Sequence, residues 1–200
     1  MGWTRKSGGE GPSSFKGKHR VEHWYRDNQV YFITARCRDG FAAFASDEAK
    51  AIFWTQFGKC VAQYSYTPWV TSLIDNHYHT VGYLRHGADL APMMHRLHGS
   101  VAKLVNDVLE SQGRPRWLPF WRESKQKNYF DGCLRDEKQG RLTYRYVCIQ
   151  AQRHGVRTDW RDYPHTRINV ELERAIKRAL ELNAFLEGVR YKRYEGGGGD

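Results

Sequence analysis

Apolar positions recur along this chain with two different periods. Residues 30–37 (Val-Tyr-Phe-Ile-Thr-Ala-Arg-Cys) are β-branched and aromatic with no glycine, the pattern of a strand. Asp39-Gly40 marks a turn. From Ser46 the period changes: Ala49, Ile52, Phe53, Gln56, Phe57, Cys60, Val61 and Tyr64 share one helical face, with Ser46 or Asp47 as N-cap. Strands are predicted over 67–74 and 77–84, joined by Asp75-Asn76 as a hairpin turn. A helix is predicted over about 89–111 on Leu90, Met93, Met94, Leu97, Val101, Leu104, Val105 and Val108. A weaker strand falls near 124–131, and a helix over 135–154 ends at Gly155. The last helix spans about 169–188 on Leu172, Ile176, Ala179, Leu182 and Leu186.

The order β-α-β-β-α-β, then two helices, predicts an α+β fold: a ferredoxin-like split βαβ antiparallel sheet with additional C-terminal helices. Residues 1–20, rich in Gly, Ser and Lys, read as a flexible basic arm, 21–168 as one domain, 169–194 as a C-terminal helix and 195–200 as a disordered tail.

Composition narrows the function. Of 200 residues 40% are hydrophobic and 14% aromatic, too polar for a membrane protein and too aromatic for a disordered chain. No run reaches the length of a membrane span, and the N-terminus lacks an apolar signal region, so a cytoplasmic, nucleoid-associated location is expected. Lys and Arg number 32 against 22 Asp and Glu, a net charge of +10 that points to a phosphate-bearing partner. Cys37, Cys60, Cys133 and Cys148 lie far apart with no paired spacing, which argues for reduced structural thiols and against a zinc ribbon.

His77 and His79 lie two apart in a predicted strand, so both imidazoles face the same side and suit one divalent metal. His95 and His98 share a helix face beside the apolar stripe and are read as surface or nucleic-acid-facing. Tyr146 and Gln150 stand at i, i+4 on one helix, where an amide oxygen would be a third metal ligand that leaves positions open for phosphate oxygen, one turn from a tyrosine.

Several motifs then fall in an ordered series. Asp75-Asn-His-Tyr-His-Thr-Val81 is like P-N-H-V-H-L-L, and Lys127-Asn-Tyr-Phe-Asp131 precedes Arg135-Asp-Glu. Arg145-Tyr-Val-Cys-Ile-Gln150, followed by Arg153-His-Gly-Val156, is like R-Y-I-H-L-N-P-V-R-A-G-L-V, and Asp162-Tyr-Pro164 comes after it. Over roughly residues 20–168 the chain resembles the single-tyrosine transposases with a His-hydrophobic-His metal motif, and within them the REP-associated tyrosine transposases. The resemblance implies His77, His79 and Gln150 as ligands of Mg²⁺ or Mn²⁺ and Tyr146 as nucleophile. It implies cleavage and rejoining of single-stranded or hairpin DNA through a 5′-phosphotyrosine. Three positions depart from the pattern: Asp75 for proline, Tyr78 for an aliphatic residue, and Gln150-Ala151 for Asn-Pro. Tyr144 is the fallback nucleophile if the helix phase differs.

For DNA holding, Arg114, Arg116, Trp117, Trp121, Arg122, Lys125 and Lys127 interleave cations with indoles, as a single-strand track requires. Lys16, Lys18, His19, Arg20, Arg190, Lys192 and Arg193 are expected to add phosphate contacts. Both a monomer and a homodimer are compatible with the pattern. Two other readings stand beside the transposase one. A non-catalytic single-strand-binding module on the same fold would use Tyr31, Phe32 and Tyr83 on the sheet and be indifferent to metal. A metal-dependent phosphodiesterase using water would form no covalent adduct.

Overall fold

The computed structural model describes residues 26–123 and 128–186. Strand β1 (Gln29–Arg36) leads into α1 (Asp47–Gln63), then the hairpin β2 (Tyr66–Ile74) and β3 (His77–Leu84). Helix α2 (Leu90–Ser111), β4 (Phe130–Cys133), α3 (Glu137–Cys148), α4 (Gln150–Arg153), β5 (Thr166–Ile168) and α5 (Leu172–Glu181) follow. The predicted arm and tail, Lys16, Lys18, His19, Arg20, Lys125, Lys127, Arg190, Lys192 and Arg193 lie outside the described residues.

The sheet order is β4-β1-β3-β2-β5, antiparallel throughout. β3 sits between β1 and β2, the split βαβ arrangement that the sequence predicts. Alternation along the strands sends side chains to two faces, and helices cover both. On one face Tyr31, Ile33, Leu73, Tyr78 and Leu84 form a core with α1 and α2. On the other, Val30, Val70 and Val81 pack with α3 and α5 through Tyr144, Val147, Ala175 and Ile176. No helix among the described residues is long and apolar enough to cross a membrane.

Local chemistry sets the element ends. Ser46 Oγ accepts the Ala49 N–H at 3.2 Å, so the predicted N-cap opens α1. α3 starts at Glu137, two residues later than predicted, because Asp136 Oδ1 accepts the Gln139 N–H at 2.7 Å while Gln139 Oε1 accepts the Arg135 N–H at 2.8 Å. The predicted helix over 135–154 divides at Ile149 (φ −84°, ψ 11°). There the Gln150 side-chain amide donates to the Tyr146 carbonyl at 2.6 Å, an acceptor that an unbroken helix reserves for the Gln150 backbone N–H. The last helix begins at Leu172, not 169, because the Asn169 and Val170 N–H groups donate to the Trp69 carbonyl and hold the chain along β2. β4 falls at Phe130–Cys133, shifted from the predicted 124–131, and the three residues of β5 are too short to show a period.

Gly82 on β3 lies beneath the Tyr66 ring, and a Cβ there would come within 2.5 Å of the Thr67 carbonyl oxygen. Backbone cannot yield as a side-chain tip does. Gly82→Ala is therefore expected to lower the urea unfolding midpoint by an amount equivalent to about 3 kcal/mol. An unchanged midpoint would mean that the β2–β3 spacing gives way at this point.

Candidate active site

Position 77 pairs with Arg36 and position 79 with Thr34 of β1, and both imidazoles emerge on the face covered by α3. The turn before them is held from three directions. The Phe44 N–H donates to the Asp75 carbonyl at 2.8 Å and the Cys37 N–H to the Asn76 carbonyl at 2.8 Å. Asp75, which replaces the family's proline, takes the ammonium of the buried Lys50 at 2.9 Å. The Asn76 side-chain amine donates to the Gly40 carbonyl at 3.1 Å, which turns its amide oxygen toward His77. That oxygen lies 2.6 Å from His77 Nδ1 and accepts only, so the proton sits on Nδ1 and Nε2 keeps its lone pair.

The two histidine rings are 4.9 Å apart, nearly perpendicular. Tyr146 comes down from α3 with its ring centroid 5.3 Å from His79, edge to face. Phe32 of β1 stacks on His79 at 5.7 Å and meets Tyr146 at 6.1 Å, so one side chain locates both. The Arg153 guanidinium lies over the Tyr146 ring, 5.1 Å from its centroid. His154 places its ring 4.8 Å from His77. Arg153 and His154 follow Tyr146 by seven and eight residues, two helical turns along, a spacing that sequence analysis had available and did not use. Phe32 and Asn76 were also missed as partners of the site, since strand register and turn contacts bring them there.

Buried acceptors test whether the site suits a metal. His79 Nδ1 and Gln150 Oε1 are both buried with no hydrogen-bond partner, a costly state for lone pairs in an interior. Gln150 is 0% exposed, and its amine is spent on the Tyr146 carbonyl. Burial, with Arg36 and the neighbouring histidines adding to it, pushes His77 down to about 4 and His79 to about 3, so both imidazoles are neutral at pH 7. Two neutral imidazoles and an amide oxygen fit a divalent cation with positions left for substrate oxygens. Among the described residues no group of three or more His, Cys, Asp or Glu is placed to hold a metal.

Tyr144 does not share this environment. It is buried in the core beneath α3, its hydroxyl donates to the Val170 carbonyl at 3.0 Å, and burial raises its proton affinity. The expected nucleic-acid face of His95 and His98 is half corrected. His95 is exposed, but His98 is buried: its Nδ1 donates to Asn128 Oδ1 at 2.8 Å and its Nε2 accepts the Tyr78 hydroxyl at 3.0 Å. Tyr78, the second departure from the family pattern, thus packs on the side opposite the site.

The cation and indole series divides as well. Arg114 lies over Phe41, Trp117 stacks on Phe41 at 4.4 Å, and Arg38 covers Trp117 at 5.2 Å, a layered surface close to the β2–β3 turn. Arg122 is exposed, its N–H bonded to the Arg36 carbonyl at 2.7 Å at the end of β1. Arg116 is tied to Asp107 and Glu110, both at 2.9 Å, which offsets its charge. Trp121 is a core residue: its indole stacks on His98 at 4.3 Å and donates to the His98 carbonyl, leaving no face for a base.

These imidazoles have a consequence for pH. Burial also lowers His98 to about 4. An unfolded histidine takes up its proton below about 6.5, and the folded chain refuses it until near 3 to 4. Stability of the metal-free protein is therefore full above about pH 6.5 and lost as pH falls toward 4, by up to about 1.4 kcal/mol per pH unit per histidine. Urea titrations in EDTA between pH 7 and pH 4 check this, and a flat profile would mean that the three rings titrate normally.

No family model and no curated protein matches the chain. Among solved structures it is similar to a REP-associated tyrosine transposase bound to a REP hairpin, at 14% identity and a TM-score of 0.57, over 72% of this chain and 79% of that one. A candidate transposase from Deinococcus radiodurans aligns at 11% identity and a TM-score of 0.44, over 63% of this chain and 93% of that one. The fold laid out here, a split βαβ sheet with a tyrosine-bearing helix over its histidine face, is the fold of a REP-associated tyrosine transposase.

Proposed function

We propose that this protein is a transposase-type enzyme that cleaves and rejoins single-stranded DNA beside a hairpin, with Tyr146 as nucleophile and a divalent metal, Mg²⁺ or Mn²⁺, as cofactor. The observation that carries the reading is the meeting of Tyr146 with His79 at 5.3 Å, beside two buried acceptors that have no partner. The related solved structure was bound to a REP hairpin, and DNA of that kind is the substrate proposed here.

In the reaction the Tyr146 oxygen attacks the scissile phosphorus and loses its proton. The phosphorus–3′-oxygen bond breaks, that oxygen takes up a proton, and the 5′-phosphate stays on the tyrosine. A second 3′-hydroxyl reverses the step and releases the enzyme, with phosphodiester energy conserved in the covalent link. A free phenol has a pKa of about 10 and is a poor nucleophile at pH 7. Arg153, its guanidinium over the Tyr146 ring, is the cation proposed to meet an oxygen of the phosphate under attack. The imidazoles of His77 and His79 and the oxygen of Gln150 would hold the metal, whose chemistry is to withdraw charge from the phosphate oxygens and orient the ester. Arg114, Trp117 and Arg122 form the DNA-facing surface near the β2–β3 turn in this reading, while Arg116 and Trp121 act structurally.

Helix cover on both sheet faces supports the enzyme over the non-catalytic alternative. Tyr31 is buried under α1 and α2, and Phe32 and Tyr83 are partly buried against the opposite core, so these three rings do not form the open central-strand surface that such a module uses. Incubation with end-labelled hairpin DNA and Mn²⁺, followed by a denaturing gel, is expected to show a covalent protein–DNA band that EDTA removes. Cleavage without that band would favour attack by water.

A further inference from the structure

Phe130 stands apart from the other rings near the site: it is 59% exposed, on the edge strand of the sheet. It pairs with Thr34, so it faces the same side as Phe32, whose ring lies 6.3 Å away at 59°. Phe32 in turn touches both His79 and Tyr146. The edge of the Phe130 ring lies over Gly132, where an added Cβ would be in ordinary van der Waals contact with it, 3.5 Å from its Cζ. A single exposed aromatic needs no explanation in general. This one is joined to the candidate nucleophile through the Phe32 ring, which touches both, on the edge strand of a basic protein, while Arg153 flanks Tyr146.

We propose that Phe130 is the stacking platform for an unpaired base of the nucleotide flanking the scissile phosphate. The inference rests on the reading of Tyr146 as the point of phosphate attack. A phosphate held at Tyr146 and Arg153 leaves its attached base to extend past Phe32 toward the β4 edge, where Phe130 presents a free π-face. Only an unstacked base has a face to offer in return, so the ligand is a single-stranded segment and not a duplex. Stacking of this kind tolerates every base, which places sequence choice elsewhere in the protein.

The test uses the full-length protein in EDTA and a labelled hairpin oligonucleotide with oligothymidine flanks, read by anisotropy. Phe130→Ala is expected to weaken binding by about fivefold to a hundredfold, as loss of one base–aromatic stack does. Phe130→Trp should restore it, and Phe130→Leu, which keeps apolar bulk without a π-face, should not. Replacing flank bases one at a time by abasic sites should cost the wild type at a single position and cost Phe130→Ala nothing there. Because the ring is exposed, thermal midpoints of the variants should match the wild type. Equal affinity of wild type and Phe130→Ala, or an abasic penalty that persists in Phe130→Ala, would overturn the proposal. Adduct formation with Mn²⁺, scored on the same preparations, separates the two readings. An adduct with no Phe130 effect removes the stacking platform alone, whereas a position-specific Phe130 effect without an adduct keeps the platform and removes Tyr146 as nucleophile.

Discussion

Tyr146→Phe is expected to abolish the covalent protein–DNA band and to lower strand cleavage by about 10⁴-fold or more, the scale on which enzymes lose activity with their nucleophile. The substitution removes one oxygen and keeps the ring that packs edge-on against Phe32 and His79. No hydrogen bond of the Tyr146 hydroxyl stabilises the fold among the described contacts, so the unfolding midpoint should hardly move. Hairpin affinity in EDTA should hold within a few-fold, because the cations and rings around the site remain. Tyr144→Phe is the matched control with the opposite signature. It deletes the bond from the Tyr144 hydroxyl to the Val170 carbonyl and should cost about 1 kcal/mol of stability, while the adduct persists. An adduct that survives Tyr146→Phe and disappears in Tyr144→Phe would reverse the assignment.

His79→Gln should have the second-largest effect. Glutamine approximates the length of the imidazole and keeps a polar tip, yet it lacks the neutral nitrogen lone pair that a divalent metal prefers. Metal-dependent cleavage is expected to fall by at least about 100-fold, given that loss of even an outer-shell partner costs 10–100-fold. Raising Mn²⁺ should recover part of it, which loss of fold would not permit. The same variant should be less sensitive to acid in EDTA. Burial holds the His79 pKa near 3, so the native chain resists a proton that the unfolded chain accepts below about 6.5. Glutamine has no such proton, and the drop in stability between pH 6.5 and pH 4 should shrink accordingly. Unchanged metal dependence together with unchanged acid sensitivity would remove His79 from the site.

The parts of this architecture that sequence analysis reached are those written in local period. Alternation over 77–84 and helical spacing after Ser46 place β3 and α1, and the i, i+2 spacing of His77 and His79 puts both rings on one face in the fold. Tyr146 and Gln150 are likewise legible as neighbours, since one helical turn separates them. Their actual relation differs from a simple helix face, because the Gln150 amine binds the Tyr146 carbonyl at the break after α3 and leaves its oxygen buried without a partner.

His98 and Trp121 show where local pattern misleads. A histidine beside an apolar stripe and an indole among arginines both resemble surface chemistry, yet they stack on each other at 4.3 Å inside the core. What buries them is the return of the 117–121 segment against the end of β1, through Cys37 opposite Trp121 and the Arg38 N–H bonded to the Phe120 carbonyl. Nothing within ten residues of either encodes that contact. Lys50 is a similar case, a cation on a helix whose burial follows from Asp75 across the fold.

Local composition and period thus carry the order of elements from β1 to α3, the split βαβ topology, the shared face of the two histidines and the basic charge, whereas the role expected of Tyr146 came from the family resemblance. Backbone sterics and the burial of apolar stripes act within a few residues, and those terms are readable along one chain. The setting of the site came from long-range packing: Phe32 against both His79 and Tyr146, the Gly40 carbonyl that turns Asn76 toward His77, and Phe130 exposed on the edge strand beside Phe32. Each depends on strand register and on how two helical layers close over opposite faces of one sheet. A shift of one residue in that register would send the two imidazoles into the core beneath α1 and α2 instead of toward Tyr146.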